Sequence, residues 1–175
     1  MKIFLTLISI LFLFSCNCDK SLSSKFDCKN VLIDEQLEAL ANYNKDFYDE
    51  NYSGEVISYF DNNDKQIEWK LYYKNGEIIK YESFHGNGDP KIVMPVKCNA
   101  EHGIVTVYMN QGKIAYEIEY KLGHKDGIGK SYYENGKIHK LVRFENDKKH
   151  GKQYEFSIEG DTILIEKYEH GKKLK

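Results

Sequence analysis

Val107-Tyr108-Met109-Asn110-Gln111-Gly112-Lys113-Ile114, Ser131-Tyr132-Tyr133-Glu134-Asn135-Gly136-Lys137-Ile138 and Glu155-Phe156-Ser157-Ile158-Glu159-Gly160-Asp161-Thr162 are three passes of one pattern, 24 residues apart. Each reads strand, tight turn around Gly112, Gly136 or Gly160, then strand. A fixed period of this size marks stacked supersecondary units, each too small to bury its own apolar face. The fold class is therefore mainly β, an array of antiparallel hairpins forming an elongated curved sheet, over residues 51–175. Asn75-Gly76 and Asn135-Gly136 carry the residue types of a type I′ turn, with positive φ expected at both centres.

Overlaying the last three units stacks Tyr108, Tyr132 and Phe156 in one column, and Tyr120, Phe144 and Tyr168 in another. A third column holds Ile114, Ile138 and Thr162. Along the returning strand Ile114, Tyr116, Ile118 and Tyr120 alternate with Ala115, Glu117, Glu119 and Lys121, which predicts one apolar and one solvated face. Glu166 takes the place of Ile118 and Val142 in the last unit, as suits a terminal repeat open to water. Two earlier units align less regularly. Gly54 to Asn62 overlays Gly127 to Asn135, and Tyr72 to Ile78 overlays Tyr132 to Ile138 sixty residues later. Residues from about 86 to 100, with both prolines and Cys98, read as an insertion.

The N-terminus has a different character. Lys2 precedes an apolar run from Ile3 to Phe14, too short to span a bilayer, so residues 1–15 read as a secretory signal. The string Leu13-Phe14-Ser15-Cys16 resembles the lipobox of bacterial lipoproteins, which implies cleavage before Cys16 and acylation of its sulfur. Two or three acyl chains give stable anchoring where one gives only marginal binding. The expected location is the bacterial cell envelope, at the outer membrane, with the membrane itself the first partner. Residues 16–30 form a polar tether. Within residues 31–50 a helix is expected from Asp34 to Tyr48, capped by Asp34, with Ile33, Leu37, Leu40 and Ala41 on one stripe. Packed on one end of the array, it would cover an edge.

Removing residues 1–15 takes away only Lys2 among the charged groups, so the net charge moves from −2 to −3. Both signs are interspersed, and no nucleic-acid footprint is present. Once Cys16 is acylated, Cys18, Cys28 and Cys98 remain; a Cys28–Cys98 bridge is the favoured pairing and three reduced thiols the alternative. His102, Asp126 and His150 fall in one column, but solvated turns and the flanking Lys148 and Lys149 argue against a metal ion there. No nucleophile elbow, zinc-protease helix or phosphate loop occurs in the sequence. The chain is therefore read as a non-enzyme with no cofactor and no small-molecule substrate.

The units Gly127 to Lys137 and Lys148 to Lys152 resemble the variant MORN repeat of bacterial proteins grouped as the YwqK-type antitoxin family. The resemblance covers about Gly54 to the C-terminus. It implies an all-β hairpin array used as a binding or scaffold surface. A cytosolic antitoxin meets its toxin in the cytosol, whereas this chain carries an export signal, so the expected function is an envelope protein binding another protein. An immunity-like protein and a structural spacer are the alternatives. Glu117, Glu119, Arg143 and Lys167, on the polar face, are the expected partner surface. The anchor is tested by mass and fractionation: the wild type should begin at an acylated Cys16 and sediment with membranes, and Cys16→Ala should lose both properties.

Overall fold

The computed structural model describes residues 51–60 and 63–175, with side chains from residue 65 in the second stretch. The signal, the tether, the helix from Asp34 to Tyr48, and Cys16 and Cys28 lie outside the described residues. Thirteen strands form one open antiparallel sheet. They are β1 (Gly54–Phe60), β2 (Asn63–Lys74), β3 (Glu77–Phe84), β4 (Pro90–Lys97), β5 (Ala100–Glu101), β6 (Gly103–Tyr108), β7 (Ile114–Lys121), β8 (His124–Tyr132), β9 (Ile138–Glu145), β10 (Lys148–Lys149), β11 (Gly151–Phe156), β12 (Thr162–Glu169) and β13 (Lys172–Lys173). Neighbours in the sheet are neighbours in the chain, with the two-residue strands β5 and β10 set to the side.

Two kinds of turn alternate. At one end of the strands Gly88, Gly112, Gly136 and Gly160, all 24 apart, have φ between 70° and 107°. Here Gly136 N–H donates to Tyr133 O and Tyr133 N–H to Lys137 O, both at 2.9 Å, and the same pair recurs at His85–Asp89 and Ser157–Asp161. At the other end two-residue turns have positive φ at both positions: Asn75-Gly76, Cys98-Asn99, Leu122-Gly123, Asn146-Asp147 and His170-Gly171. Their handedness matches the twist of the flanking strands, which offsets the cost of about 1–2 kcal/mol for a non-glycine residue there.

This alternation corrects three expectations. Asn135 is not among the residues of positive φ, so Asn135-Gly136 is not type I′; Asn135 instead accepts Lys137 N–H through Oδ1 at 3.0 Å. The 86–100 segment is not an insertion: its turn at Gly88 and strand β4 keep the repeat, between β3 and β6. Tyr72 to Ile78 and Tyr132 to Ile138 turn at opposite ends of the strands, half a unit out of step. With that shift made, the aromatic column extends backwards through Phe84, opposite Pro90, as Tyr108 stands opposite Ile114 and Tyr132 opposite Ile138.

The core is small and lies toward the N-terminal half, on one face. Leu71, Tyr73, Ile78, Met94, Val96 and Val105 are buried together, with Trp69, Tyr81 and Tyr120 packed against them. Tyr116, expected on the apolar face, is 42% exposed, because the described residues form a single sheet with no second layer over it. Gly129 lies under the Phe144 ring, whose Cε2 occupies the space a Cβ would need. Gly127, with φ of 129°, lies under the Glu119 carboxylate, which accepts Ile128 N–H at 2.9 Å.

Those contacts separate two kinds of glycine. Gly136→Ala meets no neighbour and should cost only the backbone penalty, about 1–2 kcal/mol. Gly127→Ala adds the displacement of Glu119 from its backbone partner and should cost about 3 kcal/mol or more. Urea denaturation of the two variants checks the order.

Candidate functional site

One row of side chains crosses ten strands on the face opposite the core: Ile57, Lys70, Glu82, Val93, Thr106, Glu117, Lys130, Leu141, Tyr154 and Ile165. Its character changes along the sheet. Lys70, Glu82, Glu117 and Lys130 are charged, with the uncharged Ile57, Val93 and Thr106 among them. The last three are apolar.

The charged part is built from tyrosine–carboxylate contacts. Tyr72 Oη donates to Glu82 at 2.5 Å, and Lys80 stands 3.0 Å from Glu82 and 3.6 Å over the Tyr72 ring. Burial alone would raise the Glu82 pKa, but the hydrogen bonds from Tyr72 and Lys80 bring it below the usual carboxylate value. Burial and the Glu82 charge together push the Tyr72 phenol upward. Tyr132 repeats the arrangement, donating to Glu117 at 2.6 Å; burial and that carboxylate raise its phenol to about 12. Such charge-assisted bonds are stronger than neutral ones and hold the face rigid.

Glu117, Glu119, Arg143 and Lys167 therefore share one face, as expected, but not one role. Glu117 is half-buried and held by Tyr132, with Lys130 at 3.8 Å. Glu119 is spent on Ile128 N–H. Arg143 and Lys167 are exposed. Two of the four are thus internal braces, and the solvated face predicted by alternation is in part a hydrogen-bonded one. Glu166 likewise is half-buried rather than open to water, bound by Lys173 Nζ at 2.6 Å and Tyr168 Oη at 2.8 Å, which lower its pKa.

The apolar end is the part the sequence pattern did not single out. Tyr154 stacks on Phe156 at 6.2 Å between centroids, beside Leu141. On β12, Ile163, Leu164 and Ile165 are 59%, 42% and 56% exposed, so both faces of the strand carry large apolar groups. The outer side of β12 is joined to β13 only at Tyr168 and Glu169, and Leu174 N–H reaches Lys167 O at 2.8 Å. By strand alternation Ile163 and Ile165 then turn their backbone N–H and C=O groups outward, with no strand beside them among the described residues. The signal in the sequence was the unbroken apolar run Ile163-Leu164-Ile165 in the last long strand.

The remaining sequence candidates are dispersed. Cys98, in a two-residue turn, is disulfide-bonded. His124 Nδ1 meets Asp147 Oδ2 at 2.6 Å, which with Lys125 N–H lowers the Asp147 pKa against the opposing effect of burial. His139 lies 4.5 Å from the Tyr133 ring and 3.4 Å from Glu155. A shallow concavity lined by Lys65, Gln66, Ile67, Phe84, Asn87 and Gly88 lies far from the apolar end in the strand order.

Comparison with known proteins adds no name to this geometry. No protein-family model matches the chain, and none of the curated proteins compared with it matches significantly.

His102 provides a pH test of the packing. Its Nδ1 is shielded from solvent without a hydrogen-bond partner, and burial, with Lys97 and Lys121 adding, lowers its pKa below 6.5. The unfolded chain then takes up a proton first as the pH falls through 6.5, so stability declines from that point down to the folded-state pKa. His102→Gln should show a smaller loss between about pH 7.5 and about pH 5.5, read from urea midpoints.

Proposed function

We propose that this chain is a lipid-anchored, non-catalytic protein of the bacterial cell envelope that binds another protein through its repeat sheet. The anchor rests on the lipobox-like sequence ending at Cys16. The binding role rests on one observation: the sheet face turns apolar at Leu141, Tyr154 and Ile165, beside a β12 edge that has no strand along Ile163 and Ile165 among the described residues. Soluble proteins cover, shorten or charge such edges, because a bare one templates strand addition. A partner that adds an extended segment along β12 would gain backbone hydrogen bonds from Ile163 and Ile165 and side-chain contact from the apolar face. Arg143 and Lys167, exposed on the same face, would favour acidic groups flanking that segment.

The reading is tested by capture from detergent-solubilised envelopes. Wild type should retain one partner in stoichiometric amount. The double variant Ile163→Lys, Ile165→Lys should lose it while its circular dichroism stays unchanged, since both side chains are exposed in the free chain. Equal capture by both proteins, or association of the chain only with itself, would reject the proposal.

A further inference from the structure

We propose that Glu145, His150 and His170 form a binding site for a divalent transition-metal ion of the zinc class. The three flank two neighbouring two-residue turns, Asn146-Asp147 and His170-Gly171. Glu145 ends β9, His150 lies between β10 and β11, and His170 opens the two-residue turn between β12 and β13. One ligand atom from each lies within 4.8 Å of the other two. Glu145 Oε2 is 3.2 Å from His150 Nδ1 and 4.0 Å from His170 Nδ1. The two imidazoles sit 5.0 Å apart at 49°, tilted rather than stacked, so their nitrogens converge without the rings packing flat.

The decisive atom is His150 Nδ1. It is shielded from solvent and makes no hydrogen bond, although the Glu145 carboxylate is close. A buried polar nitrogen in that condition costs free energy unless something takes it up. An ion shared with Glu145 and His170 would do so. Two imidazoles and a carboxylate suit zinc, with ligand bonds of about 2.0–2.2 Å and a fourth position for water. Donor atoms on a tetrahedral ion of that size stand about 3.3 Å apart. The Glu145–His150 pair already has that spacing; the His170 side chain, 67% exposed, needs only a small rotation.

The backbone keeps the ligands in place. His150 N–H donates to Arg143 O at 2.9 Å and Gly171 N–H to Lys149 O at 2.8 Å, so both histidine-bearing turns are tied to the strands before them. Of the lysines nearby, Lys149 Nζ lies 4.9 Å over the Tyr168 ring and Lys173 is bound to Glu166, while Lys148, beside Gly171, is exposed and its charge screened by water. The set shares only His150 with the His102, Asp126 and His150 column. Metal binding here would staple the last hairpin to the unit before it, and it does not depend on the protein-binding reading.

Calorimetric titration of the tag-free full-length chain with zinc chloride tests the site. One ion per chain should bind, with zinc raising the melting temperature. His150→Ala and His170→Asn should each abolish that binding and that shift, asparagine being chosen because it tolerates the positive φ of residue 170. His124→Ala, a histidine outside the cluster, should leave both intact. His170→Asn should melt like the zinc-free wild type, which separates loss of metal from loss of fold. Absence of saturable binding by the wild type, or undiminished binding by both cluster variants, would overturn the assignment.

Discussion

One backbone hydrogen bond recurs at the two-residue turns: Gly123 N–H to Glu101 O, Asp147 to Lys125 and Gly171 to Lys149 reach back to the turn before, and Gly76 N–H reaches Tyr52 O ahead of β1, all between 2.8 and 2.9 Å. Each has its donor in the left-handed region, and the first three each fix one hairpin against the preceding one. This joint matters because a single open sheet has no opposing layer to set its register. Side chains from the turns at the other end add to it: Tyr133 Oη donates to Phe156 O at 2.7 Å, and His85 Nε2 meets Tyr108 O at 3.2 Å, each reaching one unit ahead. The repeat is a structure of neighbours, and its order comes from local bonds made many times.

How much of this the amino acids disclose depends on whether identity or position carries the physics. Gly112, Gly136 and Gly160 were readable because glycine accepts a positive φ at little cost and so recurs as itself. The companion turns were not, because Cys98, Leu122, Asn146 and His170 share a backbone shape and no chemistry. Gly88 keeps the spacing, yet Asn87, Asp89 and Pro90 around it look unlike the later units, which hid β4 inside an apparent insertion. The faces were read from alternation, which places Glu117 and Glu119 correctly but says nothing of Tyr132 Oη or Ile128 N–H waiting to bind them. The cluster at Glu145, His150 and His170 was invisible for a related reason, since its members meet only through two turns.

Burial is uneven along the array. Leu71 and Ala100 are fully covered, whereas β12 has no buried residue. Toward the polar end Lys70 pairs with Glu55, Tyr72 and Lys80 with Glu82, and Tyr132 and Lys130 with Glu117. Among the described residues, the far end leaves Ile163, Leu164 and Ile165 exposed and the outer backbone groups of β12 there without a strand beside them. A terminal metal ion and a terminal binding edge would both act on the least covered unit, one by fastening it and the other by extending it.

Strand order that follows chain order also bears on how the protein folds. Most β proteins fold slowly because strands distant in sequence must find each other before any gain is made. Here nearly every ladder closes across a short turn, so the average separation of touching residues is small for an all-β chain. Assembly can begin on the covered hairpins around Leu71 and Met94 and advance unit by unit, each completed strand presenting the template for the next. The β12 hairpin would then be the last to zip and the first to open, and a nascent chain leaving a ribosome or a membrane channel N-terminus first would meet its own scaffold already in place.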